Sequence, residues 1–202
     1  IWKIDNIMNN LLDKSIKIKN KHPFILSLVL YVIACYFIYG HYVIGLGLNK
    51  STIGYSLIYN NFIWNIAWLN HSLSNFSNPF YTKYLWYKSG VSLSWNALFL
   101  PAYGIISSAV IKIVSPIAWA NIIYLLQPVL ASFFAFILLF KVTKSFSGSF
   151  AGGFIYGFSS YMIEELLQAN IGYMTIFIIP VVALLCYLLF IKEISNKKAY
   201  IL

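Results

Sequence analysis

The sequence predicts an all-α polytopic transmembrane helical bundle with a large outer loop that carries juxtamembrane helices. Three observations predict it. The 202-residue chain is 60% hydrophobic and only 9% charged, whereas a soluble domain carries about 25% charged residues. Its apolar runs reach roughly 20 residues, the length that crosses a bilayer core of about 30 Å at 1.5 Å per residue. The 14 basic residues, all lysine, outnumber the 5 acidic ones and fall between the apolar runs. There they read as topology signals rather than as the basic face of a nucleic-acid reader. This composition excludes a soluble enzyme, a disordered tail and a nucleic-acid partner. Mean hydropathy is +0.76.

Residues 1–22 hold Lys3, Lys14, Lys17, Lys19 and Lys21 against Asp5 and Asp13, with Ile4, Ile7, Met8, Leu11 and Leu12 at helical spacing. This is a basic amphipathic segment suited to the inner membrane surface; a solvated tail is the alternative for its first residues. No small-residue cleavage site follows the first apolar run, so it is not a secretory signal. The chain starts at Ile1 and ends at Leu202 as a new apolar run opens, which we read as the N-terminal portion of a longer polypeptide.

Residues 24–46 are the first span, with His41 near its wet end. Residues 47–93, the first part of an outer loop over 47–117, turn polar and aromatic and are punctuated by Pro79 and Gly90. Within them, 55–73 has helical period. Ile58, Phe62, Ile66 and Leu69 fall on one side, and Asn61, Asn65, Trp68 and Ser72 on the other. That pattern suits an interfacial helix, where Trp and Tyr prefer to sit. Residues 95–113 hold Pro101, Gly104 and Lys112 and read as a second interfacial or re-entrant helix. Further spans follow at 118–140, at 148–163 and at 171–191. In the second of these, Gly152, Gly153 and Gly157 allow close helix approach. In the third, Pro180 is of a kind tolerated in membrane helices. Cys35 and Cys186 each lie within an apolar run and read as small core residues.

Charge decides how 95–113 is placed. As a full span it would put Lys141, Lys144 and Lys192 outside with Glu164 and Glu165 inside, against the positive-inside rule. As part of one outer loop it leaves both chain ends, Lys141 and Lys144 inside. Lys50, Lys83, Lys88, Lys112, Glu164 and Glu165 are then outside. The second arrangement gives four spans and a cytoplasmic N-terminus in the plasma membrane.

Several short motifs follow one another in a distinctive order. They are Phe62-Ile63-Trp64-Asn65-Ile66-Ala67-Trp68, Asn78-Pro79-Phe80, and Leu85-Trp86-Tyr87-Lys88-Ser89-Gly90. An Asn-bearing span (Ala120-Asn121) comes next. Then come a small-residue helix ending in Gly157-Phe158-Ser159-Ser160-Tyr161, a polar loop to Asn170 and a span holding Pro180. Over roughly residues 24–192 this order resembles the GT-C class of membrane glycosyltransferases. The resemblance implies transfer of a sugar from a polyprenyl-phosphate donor at the outer membrane face, with Mg²⁺ or Mn²⁺ and basic groups stabilising the leaving phosphate. It also implies membrane lipids and a polyprenyl-phosphate-linked sugar as partners. The chain departs from the class in one respect. An Asp usually stands in the first outer loop, but residues 42–117 hold no Asp or Glu. The nearest polar groups are Asn60 and Asn61, and an amide is no general base. A position often held by His is Asn170 here. Either the catalytic groups lie elsewhere, or the chain is a non-catalytic membrane module such as a transporter or assembly subunit.

The candidate chemistry rests on few residues. His71, three positions after Trp68, suits a general base or phosphate ligand; an interfacial helix-end histidine is the alternative. Asn61, with Asn60 one of the polar groups nearest to the place where the resemblance implies an acid, is a further catalytic candidate. Glu164 and Glu165 are the acids of the predicted outer face and could ligate a hard cation, with Glu165 also a catalytic candidate. Adjacent helical residues diverge by about 100°, so one at most faces a given cavity. A solvated loop that helps to fix topology is the alternative. Lys83 and Lys88 flank Trp86 and Tyr87 and could bind the donor phosphate, or snorkel to headgroups. Trp64, Trp68, Trp86 and Trp95 could stack on sugar faces or form an aromatic belt. No phosphate-cradling loop, nucleophile elbow, dinucleotide fingerprint or metal-spaced His/Cys cluster occurs.

Overall fold

The computed structural model describes residues 22–54, 57–86, 88–93, 106, 107, 109–111 and 113–190. The amphipathic segment 1–22 lies outside them apart from His22. So do most of the helix expected at 95–113, including Trp95 and Lys112, and Lys192.

Pro23 starts the first helix, where its missing N–H costs nothing. Helix α1 (Pro23–Cys35) passes through a π-helical turn, Tyr36–Gly40, into α2 (His41–Leu46). The unit is 24 residues long, about 36 Å at 1.5 Å per residue. Gly47 stops it at φ 95°, a conformation that side chains resist. Helix α3 (Leu57–Ser74) follows. A two-stranded antiparallel ribbon comes next, β1 (Tyr81–Thr82) against β2 (Val91–Ser92), with Tyr81 opposite Ser92.

Helix α4 (Pro116–Thr143) is the long axis of the fold. Ser115 caps it, its Oγ accepting from the Ala118 N–H at 3.2 Å, and Pro116 occupies the first position. It ends where Lys144 turns left-handed, φ 58°, and donates its N–H to the Phe140 carbonyl. Helix α5 (Phe146–Gly157), capped by Ser145, runs back along α4. Helices α6 (Ser160–Leu167), α7 (Ile171–Met174) and α8 (Ile178–Phe190) are the last of the described residues. Among the described residues, three helices are long and apolar enough to cross a membrane: Pro23–Leu46, Pro116–Thr143 and Ile171–Phe190.

The single helix expected over 148–163 is interrupted. It stops at Gly157, and Ser159 restarts the chain by accepting the Met162 N–H at 3.3 Å. The twelve residues of α5 cover about 18 Å, so α5 and α6 share the distance that one helix was expected to cover.

Small residues bring α5 onto α4. Ser149, Gly153 and Gly157, four apart, are its buried face. A Cβ on Gly157 would stand 2.5 Å from the Pro128 carbonyl, and one on Gly153 would stand 2.6 Å from that of Ser132. Tyr31 of α1 closes the third side, stacking on Phe150 at 4.8 Å and donating its hydroxyl to the Phe150 carbonyl at 2.9 Å. Phe24 packs edge-on against Phe136 and Phe140, while Cys35 Sγ reaches the Leu125 carbonyl. Helix α1 is therefore antiparallel to α4. Phe177, at the start of α8, stacks on Phe134, and Leu184 and Leu188 lie beside Ile137 and Phe140. Helix α8 is therefore parallel to α4.

The fold thus has two ends. One gathers Phe24, Lys141, Lys144 and Leu188. The other gathers the 47–54 loop, the start of α4, and Ala169. There Asn121, fully buried, uses every polar valence of its amide. It donates to the carbonyls of Leu48 (3.0 Å) and Ser51 (2.8 Å) and accepts from the Ile53 N–H (3.2 Å) and the Tyr59 hydroxyl (2.5 Å). A satisfied buried amide stabilises; an unsatisfied one costs heavily. Tyr124, one turn on, donates to the Ala169 carbonyl at 2.6 Å. Around them Tyr59, Phe62, Ile66, Ile123, Met162 and Ile171 form the main core.

Candidate functional site

The second half of α3 carries Trp64, Trp68 and His71 at positions i, i+4 and i+7, which share one helix face. The indoles of Trp64 and Trp68 stack with centroids 6.0 Å apart and planes 5° from parallel. The His71 ring stands 5.7 Å from Trp68. Tyr84, from the loop between the strands, meets both edge-on, at 5.7 Å from Trp68 and 5.7 Å from His71. Together with Ala67, which supplies a low floor, these four rings line an open groove of about 350 Å³.

Two hydrogen bonds hold the groove in shape. Trp68 Nε1–H donates to the Pro79 carbonyl at 2.9 Å, and the Tyr84 N–H donates to Thr82 Oγ1 at 3.1 Å. On the α3 side that holds Asn65, Trp68 and Ser72, Asn65 and Ser72 are buried, 1% and 0% exposed. The ribbon folds back over the helix, and Leu93 and Val91 pack on Trp68 and Leu69.

Asn75, one turn beyond His71, places its amide nitrogen 3.3 Å from His71 Nδ1 and donates to the His71 carbonyl at 2.8 Å. The same amide nitrogen stands 3.5 Å from Nε2, so the contact selects neither ring nitrogen. An imidazole can donate from one ring nitrogen to a phosphate or sugar oxygen and accept at the other.

The remaining sequence candidates do not join the groove. Asn61 is exposed on α3 and accepts from Asn65 Nδ2 at 3.5 Å. It precedes His71 by ten residues, about 15 Å along the axis, so the two cannot serve one reacting atom. Lys83 and Lys88 are exposed in the ribbon loop. That loop closes through the Tyr81 hydroxyl on the Ser89 carbonyl (2.7 Å) and through Gly90, at φ 71°. Lys88, at φ 77°, and Trp86, at φ 55° and 78% exposed, stand out from it.

Glu164 and Glu165 lie on α6. Glu164 is exposed and accepts from Gln168 Nε2 at 2.5 Å. Glu165 turns inward, and among the described residues its buried Oε2 has no hydrogen-bond partner. The two carboxylates thus diverge, and no third His, Cys or acid among the described residues joins them. This donor set does not fit a hard-cation centre, which takes several converging oxygens.

Sequence reasoning identified Trp64, Trp68 and His71 singly and missed Ala67, Tyr84 and Asn75. The i, i+4, i+7 spacing was the available signal for the helix residues; Tyr84 had none. The arrangement offers flat apolar walls and a polar edge, as carbohydrate and other ring-shaped ligands require. Comparison with protein-family models, curated proteins and solved structures returned no match.

Proposed function

We propose that this chain is a multi-pass plasma-membrane protein of the GT-C glycosyltransferase type, with its N-terminus cytoplasmic, that binds a polyprenyl-phosphate-linked sugar at the outer membrane face. The observation that carries this reading is the aromatic groove of Trp64, Trp68, Tyr84 and His71. The hexose ring stacks on the paired indoles, and His71 bonds a sugar or phosphate oxygen; Lys83 and Lys88, in the loop that carries Tyr84, add positive charge beside the groove without lining it. In transfer, an acceptor hydroxyl oxygen bonds to the anomeric carbon as the bond to the phosphate oxygen breaks. The lipid phosphate leaves with the electron pair, and His71 accepts the hydroxyl proton. A divalent cation would need ligands beyond Glu164 and Glu165, and no step is routed through one.

One observation favours the non-catalytic alternative: among the described residues no carboxylate lines the groove. A single experiment separates the two. The full chain in lipid nanodiscs is titrated with a short-chain polyprenyl-phosphate hexose while tryptophan fluorescence and released polyprenyl phosphate are followed. Saturable quenching with sugar transfer supports the enzyme. Quenching without transfer supports a binding or assembly module. No quenching overturns the groove as a donor site.

A further inference from the structure

The opposite end of the fold carries a second feature, independent of the aromatic groove. Phe24 of α1, Ile137 and Phe140 of α4, and Leu184 and Leu188 of α8 wall a slot of about 360 Å³, with Lys141 and Lys144 at its mouth. The slot is within the size range of small-molecule sites, about 300–1,000 Å³. Its chemistry is graded, with five hydrocarbon side chains below and two ammonium groups above. The only ligand class that matches both halves is a single-chain-deep amphiphile with an anionic head. Basic residues over apolar slots between membrane helices bind anionic lipid headgroups in this way.

Lys144 adds a second argument. It occupies the left-handed position after α4, φ 58°, where helices favour glycine because a Cβ is strained there. Strain kept at a residue whose charge borders a slot points to use of that charge.

We infer that this slot is a specific site for an anionic phospholipid, one acyl chain lying among Phe24, Ile137, Phe140, Leu184 and Leu188 and the phosphate held by Lys141 and Lys144.

The test uses the full chain in detergent, titrated with phosphatidylglycerol or phosphatidylcholine and read by native mass spectrometry. One phosphatidylglycerol per chain is expected to bind ahead of phosphatidylcholine. Replacing both lysines, as Lys141→Gln with Lys144→Gly, weakens phosphatidylglycerol binding about 30-fold, at one lysine-headgroup contact each. Phosphatidylcholine binding stays as it was. Lys144→Gly alone supplies the control for folding. Glycine fits the left-handed site, so thermal stability holds or rises while lipid binding falls. Leu184→Trp fills the slot and removes the bound lipid with both lysines intact. Excess inorganic phosphate leaves the lipid bound, because it has no chain to place. Equal retention of the two lipids, or undiminished phosphatidylglycerol binding in the double variant, overturns the site. So does displacement of the lipid by inorganic phosphate.

Discussion

The hydroxyl of Tyr59 donates to Asn121 Oδ1 across 2.5 Å and ties α3 to the start of α4. The same amide holds the 47–54 loop through Leu48, Ser51 and Ile53, so one side chain joins three segments distant in sequence. Asn121→Leu would keep the volume and leave two carbonyls and an N–H unpaired in the core, with the Tyr59 hydroxyl left to the Ile117 carbonyl at 3.3 Å. We expect a loss of at least about 3 kcal/mol. Tyr59→Phe removes the one hydroxyl shared between Asn121 Oδ1 and the Ile117 carbonyl and should cost about 1 kcal/mol. Thermal unfolding in detergent, followed by the circular dichroism of both variants, checks the ranking. Equal melting temperatures for Asn121→Leu and the parent would remove the clamp from the account of the fold.

The α4–α5 seam predicts opposite outcomes for two Gly→Ala changes. At Gly157 the new Cβ meets backbone, the Pro128 carbonyl at 2.5 Å and the Ser132 nitrogen at 2.6 Å. Neither can swing aside, so the helices must part, at about 1–3 kcal/mol. At Gly45 nothing lies within 4 Å. Alanine there should stabilise helix α2 by about 0.5–1 kcal/mol. The two melting temperatures should move in opposite directions.

The readable part of this sequence was the part that bilayer length dictates. Apolar runs announced the helices Pro23–Leu46, Pro116–Thr143 and Ile171–Phe190, and Gly152, Gly153 and Gly157 announced a close helix contact. The break at Phe158-Ser159 was legible but overridden. Hydropathy continued through it, while Ser159 three positions before Met162 is a cap signal. The buried polar side of α3 was not legible. The ribbon that packs on Trp68 and Leu69 through Val91 and Leu93 is made of two-residue strands, too short for an alternating pattern to register. The groove was half legible for the same reason: the helix supplied Trp64, Trp68 and His71 at regular spacing, whereas Tyr84 arrives through a loop whose path depends on left-handed Trp86 and Lys88.

The groove makes a prediction that separates stacking from anchoring. Trp64 is held only by its rings, whereas Trp68 also donates to the Pro79 carbonyl. Trp64→Ala should therefore abolish quenching by the polyprenyl-phosphate hexose with little change in melting temperature. Trp68→Phe keeps a stacking face but frees Pro79, and should lower stability by about 1 kcal/mol while retaining part of the binding. His71→Ala should leave the stacking and remove sugar transfer. If Trp64→Ala leaves donor quenching intact, the sugar does not lie on these indoles.

The two-ended architecture predicts a topology that can be read chemically. Ser145 starts α5 directly after Lys144, at the end where Phe24 and Leu188 meet. Gln168 ends α6, where a Cβ on Gly54 would touch the Leu167 carbonyl, at the end held by Asn121. Roughly twenty helical residues of α5 and α6 separate them, enough for about 30 Å. Single cysteines at Ser145 and Gln168 should then be labelled from opposite sides of the membrane by an impermeant maleimide. Ser92, on the ribbon beside the groove, should label with Gln168. The background replaces Cys186 with Ala and Cys35 with Ser, whose hydroxyl keeps a donor for the Leu125 carbonyl that Cys35 Sγ reaches at 3.2 Å. Labelling of Ser145 and Gln168 from the same side would mean that the broken pair α5–α6 does not traverse the bilayer. The groove and the two lysines would then face one compartment, and the outer-face donor site would fail with that result.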